Sequence, residues 1–396
     1  MASEQPSLKE RLAPLSDDIH LLGDMLGQVI REQEGQAAFQ LEERVRKAAI
    51  ARRRGEDAEQ EIIEAIEDSS LEQKRILTKA FSNYFQLVNI AEDQQRVRVL
   101  RERERQGQLG ESIDAALALL RQEGWQGSEI LDLLDKLEID LVLTAHPTEA
   151  KRQDFLFKLH ELSRYIDDRD RHSLSPREQD RIRLGILAGI EEMWQTSVTR
   201  AQQPSVMDEV EFGLYFMATV VMKTVIKLHR ELIRQLEIHF GERPRELPNF
   251  IHFSSWIGGD RDGHPFVTAE VTQETVARMR AAAREVYQQE VRRLRDRLTQ
   301  TLDEVQPSKE LLAALQGSAD LAEEYPRQPY RQMMNLIYRK LEDQDYSEAE
   351  DLLGDLRLVE SSLLEHEGIH ASNDSLWDLI QMVRIFGMHL MPLDYR

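Results

Sequence analysis

Residues 140–153, DLVLTAHPTEAKRQ, break the helical rhythm of the chain. Asp140 to Ala145 is apolar and favours a strand, His146 and Pro147 end that run, and Thr148 and Glu149 restart a polar, helix-like pattern. A short strand within helical sequence, stopped just after a histidine by a residue that cannot donate to a sheet ladder, reads as a way of placing that histidine. Two later stretches have the same form. In PNFIHFSSWIGGDRDGHPFVT, 248–268, the aromatic and β-branched run Phe250 to Ile257 leads into Gly258, Gly259, Asp260, Arg261, Asp262 and Gly263. In FGMHLMPLDYR, 386–396, Gly387 is placed to close a helix begun near Asp374, and Met388 to Leu393 reads as a third strand.

Long helical segments separate the three. The apolar residues Ile19, Leu22, Met25, Leu26, Val29 and Ile30 recur at three- and four-residue steps, with Gly35 placed to stop the helix. Similar periodicity runs through 61–100, 181–194 and 208–240, and 268–304 reads as a partly solvated helix. The charged runs 101–108 and 167–181 read as solvated surface or loop. Strands spaced by helices predict parallel pairing, because a parallel crossover usually carries a helix. In a barrel of such units the reactive side chains gather at the C-terminal strand ends, and His146, Arg261 and Arg396 stand at three of them.

The chemistry of these residues suits an anion. A histidine near its ordinary pKa serves as acid, base or hydrogen-bond donor; packing at a strand end is the plainer role for His146 taken alone. Gly258 and Gly259 let backbone approach a ligand or take a positive φ, and Arg261 between Asp260 and Asp262 offers a planar fork to phosphate or carboxylate. A tight turn with local salt bridges is the alternative for this loop. A calcium loop is excluded, since its closing position, 271, is Val. Arg396 gains meaning only from the strand it would follow. Together two arginines and a histidine predict a small cationic site for a phosphorylated or carboxylate substrate.

Composition sets the surroundings. Lys plus Arg number 51 against 72 Asp plus Glu, a formal charge of −21, which opposes sequence-independent nucleic-acid binding. The absence of cysteine excludes disulfides, thiolate nucleophiles and Cys-ligated zinc. The N-terminal segment has no cationic lead followed by an apolar run, and no stretch is apolar enough to span a bilayer, so a cytoplasmic protein without a membrane partner is expected.

These stretches resemble the phosphoenolpyruvate carboxylase family of bacterial type. Its TAHPTE stands at Thr144 to Glu149, its SWxGGDRDGNP at Ser255 to Pro265 with His264 in place of asparagine, and its LDxR at Leu393 to Arg396. LLGxxLGxVIxEQxG at Leu21 to Gly35, NIAE at Asn89 to Glu92, and WQT followed by PSxxDE between Trp194 and Glu209 extend the likeness over essentially the whole chain.

The resemblance implies a mostly α protein carrying the first strands of a (β/α)8 barrel that this chain leaves incomplete, read as one N-terminal portion, 1–396, with no internal boundary. It implies carboxylation of phosphoenolpyruvate by bicarbonate to oxaloacetate and phosphate, with Mg2+ or Mn2+ and homotetrameric assembly. His146 would be catalytic. Arg396 and Arg261 would bind substrate, and Thr148, Glu149, Gly258, Gly259, Asp260, Asp262 and Gly263 would shape the pocket. Metal ligands are expected in a C-terminal half beyond this sequence, supplied in the same gene or by a complementary subunit. Gln153 and Asp154 stand where the family has Arg-Thr, Ser197 and Val198 replace an acidic pair, and Gln203 replaces a basic residue. The alternative expectation is a non-catalytic helical interaction protein, a relic of the family.

Overall fold

The computed structural model describes residues 8–144, 153–171, 173–196, 205–262, 264–316, 323–366 and 368–394. In chain order the elements begin with α1 (Leu8–Glu34), α2 (Gln36–Arg53), α3 (Glu59–Glu67) and α4 (Leu71–Arg105). Then come α5 (Ile113–Gln122), α6 (Gly127–Leu134), β1 (Ile139–Leu143), α7 (Gln153–Arg169), α8 (Pro176–Gln195) and α9 (Val206–Phe216). A π-helical turn at Met217–Val221 leads to α10 (Met222–Phe240), followed by β2 (Ile251–Ser255) and α11 (Ala269–Arg297). Helices Pro329–Asp343, Ala349–Glu365 and Trp377–Phe386 complete the set together with shorter turns. The protein is mostly helical, and no helix among the described residues is long and apolar enough to cross a membrane.

The chain divides into two compact units. One comprises residues 1–109 and 151–203, the other 110–150 and 204–396. In the first, α1 packs on α4, α4 on α7, α7 on α8 and α8 on α1, which closes a four-helix bundle. Its core is the stripe read from the sequence, Leu22, Met25, Leu26, Val29 and Ile30, set against Leu87, Leu162, Ile166, Ile186, Ile190 and Trp194. Gly35, at φ 88°, ends α1 as expected. Ser70 and Ser175 cap α4 and α8 through capping boxes.

The charged run 167–181 is not simply solvated. Asp18, 2% exposed, pairs with Arg98 and with Arg169, each at 2.7 Å, and Arg98 donates to both carboxylate oxygens of Asp170 at 2.7 Å. Burial opposes ionisation of Asp170, but the hydrogen bonds from Arg98 and Gln94 outweigh it and hold its carboxyl below the usual range. Each of the four side chains lies against a partner of opposite sign, which is how the fold accommodates them beside its core.

The second unit holds the sheet. β1 and β2 pair in parallel, Ile139 opposite Ile251 through Leu143 opposite Ser255, as strands separated by helices predict. Their shared core includes Leu214, Ile226, Phe250, Phe253, Tyr287 and Phe386. The long helix expected over 268–304 is α11; Thr268 caps it and it ends at Arg297.

The third expected strand, Met388 to Leu393, is reduced to one parallel bridge between Leu393 and Ser255. Leu390 takes φ 69°, Met391 N–H bonds to the His389 carbonyl, and Leu390 and Met391 are both buried, so the segment coils into the core instead of alternating across a sheet. Two strands and a bridge are the extent of parallel sheet among the described residues.

Candidate active site at the strand ends

Ser255 is the node of the site. Its N–H donates to the Pro392 carbonyl at 3.0 Å, its carbonyl accepts the Asp394 N–H at 2.9 Å, and the next residue, Trp256, donates to the Leu143 carbonyl at 2.9 Å. The carboxyl ends of β1, of β2 and of the Pro392–Asp394 segment are thus tied side by side and point the same way. Ser255 itself is buried, and its hydroxyl accepts the N–H of Ile257, which starts the turn out of β2.

That turn is built around two glycines. Gly259 and Asp260 both donate to the Trp256 carbonyl at 2.9 Å. Gly258 sits at φ 84°, where a Cβ would collide with Thr275. Its carbonyl instead accepts the Thr272 hydroxyl at 2.9 Å, which fastens the loop to α11. A Cβ on Gly259 would fall on the Asp394 carbonyl oxygen and press on Leu393, so glycine there is what lets the third segment approach.

The Asp260 carboxylate accepts the Asp262 N–H at 3.0 Å, an Asx turn that shapes the loop around Arg261. Arg261 is exposed, and its carbonyl accepts the His264 N–H at 3.3 Å. Glu270, in the first turn of α11, has its carboxyl held below the usual range by the Thr268 hydroxyl, then by its own backbone N–H, and also by the charge of Arg261. The loop therefore presents a cation beside the N-terminal end of a helix.

The residues singled out from sequence divide in two. Gly258, Gly259, Asp260, Arg261 and Asp262 lie together on the loop after β2. His146, Thr148, Glu149, Gly263 and Arg396 lie outside the described residues. Thr144, the last described residue before His146, immediately follows β1, and Asp394 stands two residues before Arg396.

The sequence reading missed the supports. Thr268, Thr272 and Thr275 fall on one face of α11 at four- and three-residue spacing, a polar face where a helix packed on a strand loop would be expected to be apolar. Tyr287, also on α11 and fully buried, donates its hydroxyl to the Gly387 carbonyl at 2.6 Å and holds the start of the third segment; burial pushes its pKa up. Among the described residues no group of three or more Asp, Glu and His side chains could hold a metal ion. The described part of the site carries one cation, Arg261, among the carboxylates of Asp260, Asp262 and Glu270.

Parallel strands whose carboxyl ends converge on a glycine-rich, charged loop form a strand-end site of the α/β type, set in a helical body. The family model described as phosphoenolpyruvate carboxylase matches residues 15–396, and the chain belongs to that family. It is 37% identical to a phosphoenolpyruvate carboxylase of Roseiflexus castenholzii over 96% of this chain, and 35% identical to one of Ralstonia nicotianae over 97%. The chain spans only 44% and 42% of those relatives' lengths.

Proposed function

We propose that this chain supplies the N-terminal half of the active site of a phosphoenolpyruvate carboxylase. The reaction joins phosphoenolpyruvate and bicarbonate. A bicarbonate oxygen bonds to phosphorus as the enol C–O–P linkage breaks, giving carboxyphosphate and the enolate of pyruvate; carboxyphosphate releases CO2 and phosphate, and the enolate carbon bonds to CO2 to give oxaloacetate. The observation that carries the reading is the node at Ser255, which brings the chain just before His146, the loop bearing Arg261 and the chain just before Arg396 to one end of a parallel sheet. Family membership supports the same reading.

In this reading His146 acts on carboxyphosphate and positions CO2. Arg396 and Arg261 hold anionic oxygens of the substrate, and Thr148, Glu149, Gly258, Gly259, Asp260, Asp262 and Gly263 shape the pocket around them. Mg2+ or Mn2+, held by the complementary half, supplies charge neutralisation of the transferring phosphoryl group. That half also supplies the strands that complete a (β/α)8 barrel. The complete enzyme is cytoplasmic and homotetrameric, and its product feeds the tricarboxylic acid cycle.

The experiment is complementation. The polypeptide 1–396 forms no oxaloacetate in a malate dehydrogenase-coupled assay, and combining it with the remaining portion of a relative such as the Roseiflexus enzyme restores carboxylation. In the restored enzyme His146→Asn lowers carboxylation by about 10²–10⁴ with little loss of phosphoenolpyruvate affinity, while phosphate and pyruvate are still released. Arg396→Ala instead raises KM for phosphoenolpyruvate. Full carboxylation by His146→Asn would return that histidine to a packing role. A complemented pair that assembles and is inactive would favour a helical interaction protein.

A further inference from the structure

Two arginines of α11 line a cavity without a counter-charge of their own. Arg280 and Arg284, one helical turn apart, border a space of about 390 Å³ together with Gln344, Ser347 and Glu348. Arg280 is exposed and Arg284 half-buried, and among the described residues neither forms an ion pair or a hydrogen bond. The frame around them is fixed. α11 packs along helix Pro329–Asp343, which ends at Gln344, a residue at φ 63° whose N–H returns to the Lys340 carbonyl. Tyr346 just beyond is buried, and its hydroxyl and the Lys340 ammonium both donate to one oxygen of Asp355, at 2.6 and 2.8 Å. Lys340 and Tyr346 line the same cavity, so this part of its wall is held in place.

A second cavity, of about 450 Å³, is lined by Arg230, Arg234, Arg243 and Arg245 and makes the contrast. There each guanidinium has a carboxylate: Arg230 pairs with Asp378, Arg234 with Glu231, Arg243 with Glu237 and Arg245 with Glu360. Its arginines are neutralised from within the fold. Arg280 and Arg284 are not, although the chain carries 72 acidic residues against 51 basic ones. Like charges at i and i+4 of a helix repel, so the pair weakens α11 unless an anion lies against it. The acid that lines the cavity is engaged elsewhere, since the Glu348 carboxylate caps helix Ala349–Glu365 by accepting the Asp351 N–H.

We propose that this cavity is a binding site for a small phosphorylated anion, with the forks of Arg280 and Arg284 on its phosphoryl oxygens. Gln344 and Ser347 add an amide and a hydroxyl that bond to nothing else among the described residues, so four unengaged donor side chains border one space. A tetrahedral phosphoryl group accepts hydrogen bonds from several directions, whereas a carboxylate accepts them mainly in its own plane. Donors carried by α11 and by the chain that follows a different helix suit the former. None of the residues assigned to the strand-end site lines this cavity, and the proposal does not depend on the reaction proposed there.

Isothermal titration of the 396-residue chain with inorganic phosphate at low salt is the test. The reference chain carries Arg261→Gln and Arg396→Gln, which removes the two arginines of the strand-end site. Phosphate binds that chain, and adding Arg280→Gln with Arg284→Gln weakens binding by on the order of ten- to a hundredfold, the loss of hydrogen bonds to a charged group. Without phosphate the same pair of substitutions holds or raises Tm, because it removes a like-charge pair. Glu348→Gln keeps an oxygen for the Asp351 N–H while removing the one carboxylate in the lining, so it tightens phosphate binding, a gain that a misfolded chain does not give.

No phosphate binding by the reference chain overturns the proposal, as does binding that Arg280→Gln with Arg284→Gln leaves unchanged. A Glu348→Gln chain that binds phosphate no more tightly counts against it in the same way. Oxalate, titrated in parallel, separates the two kinds of anion. Weaker binding of oxalate than of phosphate supports the phosphoryl assignment, and tighter binding overturns it.

Discussion

β1 and β2 are five residues each and paired residue for residue, yet β1, with four apolar side chains to the two of β2, is the more exposed strand. Ile251, Phe253 and Ser255 of β2 are buried, whereas Ile139, Leu141 and Val142 of β1 are 40%, 47% and 40% exposed. β2 has a neighbour on both sides, β1 and the bridge at Leu393, and the helical core against it, where Phe253 stacks on Phe386 at 5.6 Å. β1 has β2 alone among the described residues. Leu141 and Val142 are adjacent and so face opposite sides of the sheet, and both sides are open. A strand from a parallel sheet is ordinarily apolar because it is covered on both faces. The composition of β1 is that of a covered strand, and its exposure is that of a strand at the edge of a sheet.

The largest effect expected from this contrast is at Phe253. Truncation to Ala removes a stacked, buried ring and is expected to cost about 3–5 kcal/mol. Leu141→Ala in the same sheet should cost well under about 1 kcal/mol in the isolated chain, because little of its side chain leaves water on folding. Urea unfolding of the two variants measures the difference directly, and equal losses would mean that β1 is covered in solution.

Gly259→Ala comes next. The new methyl group meets the backbone carbonyl of Asp394, which cannot rotate away as a side chain could, and the expected cost is about 1–3 kcal/mol. The damage should be local to the node: hydrogen exchange at the Asp394 and Ser255 amides accelerates, while the β1 to β2 ladder keeps its protection. Loss of protection along the whole ladder would show that the bridge at Leu393 is what keeps β2 in place.

This asymmetry was half legible in the sequence. The first two strands were found because β-branched and aromatic residues bounded by proline and glycine leave few other readings, and the loop after β2 was found because Gly258, Gly259 and Arg261 carry chemistry in their side chains or their lack of one. The third strand was overread. MHLMPL is apolar enough for a strand, but what decides its path is the left-handed turn at Leu390 and the burial of neighbouring side chains, neither of which composition reveals. The ion network of Asp18, Arg98, Arg169 and Asp170 was invisible for another reason. Asp18 and Arg169 are 151 residues apart, and a charged run looks the same in sequence whether its partners are water or a buried carboxylate.

The smallest effect on stability, and the sharpest on the comparison, is expected from Leu141→Lys. Edge strands are commonly protected by lysine, whose charge is costly to bury against an incoming strand while its stem lies along apolar surface. At a position already 47% exposed the change in unfolding free energy should stay within about 0.5 kcal/mol. Self-association is a different matter. An open parallel edge with apolar side chains on both faces invites pairing with any exposed strand, so the unsubstituted chain is expected to associate and to bind ANS, and the lysine variant to run closer to monomer in light scattering with weaker dye binding. The same substitution should block assembly with the complementary half, since a charge that keeps other copies away also keeps away the strand proposed to belong there. Phe253→Lys would be no equivalent, because a charge buried in place of that ring unfolds the unit before any partner is offered. If Leu141→Lys leaves both self-association and complementation untouched, β1 is a tolerated exposed strand, and its apolar composition has no bearing on what completes the protein.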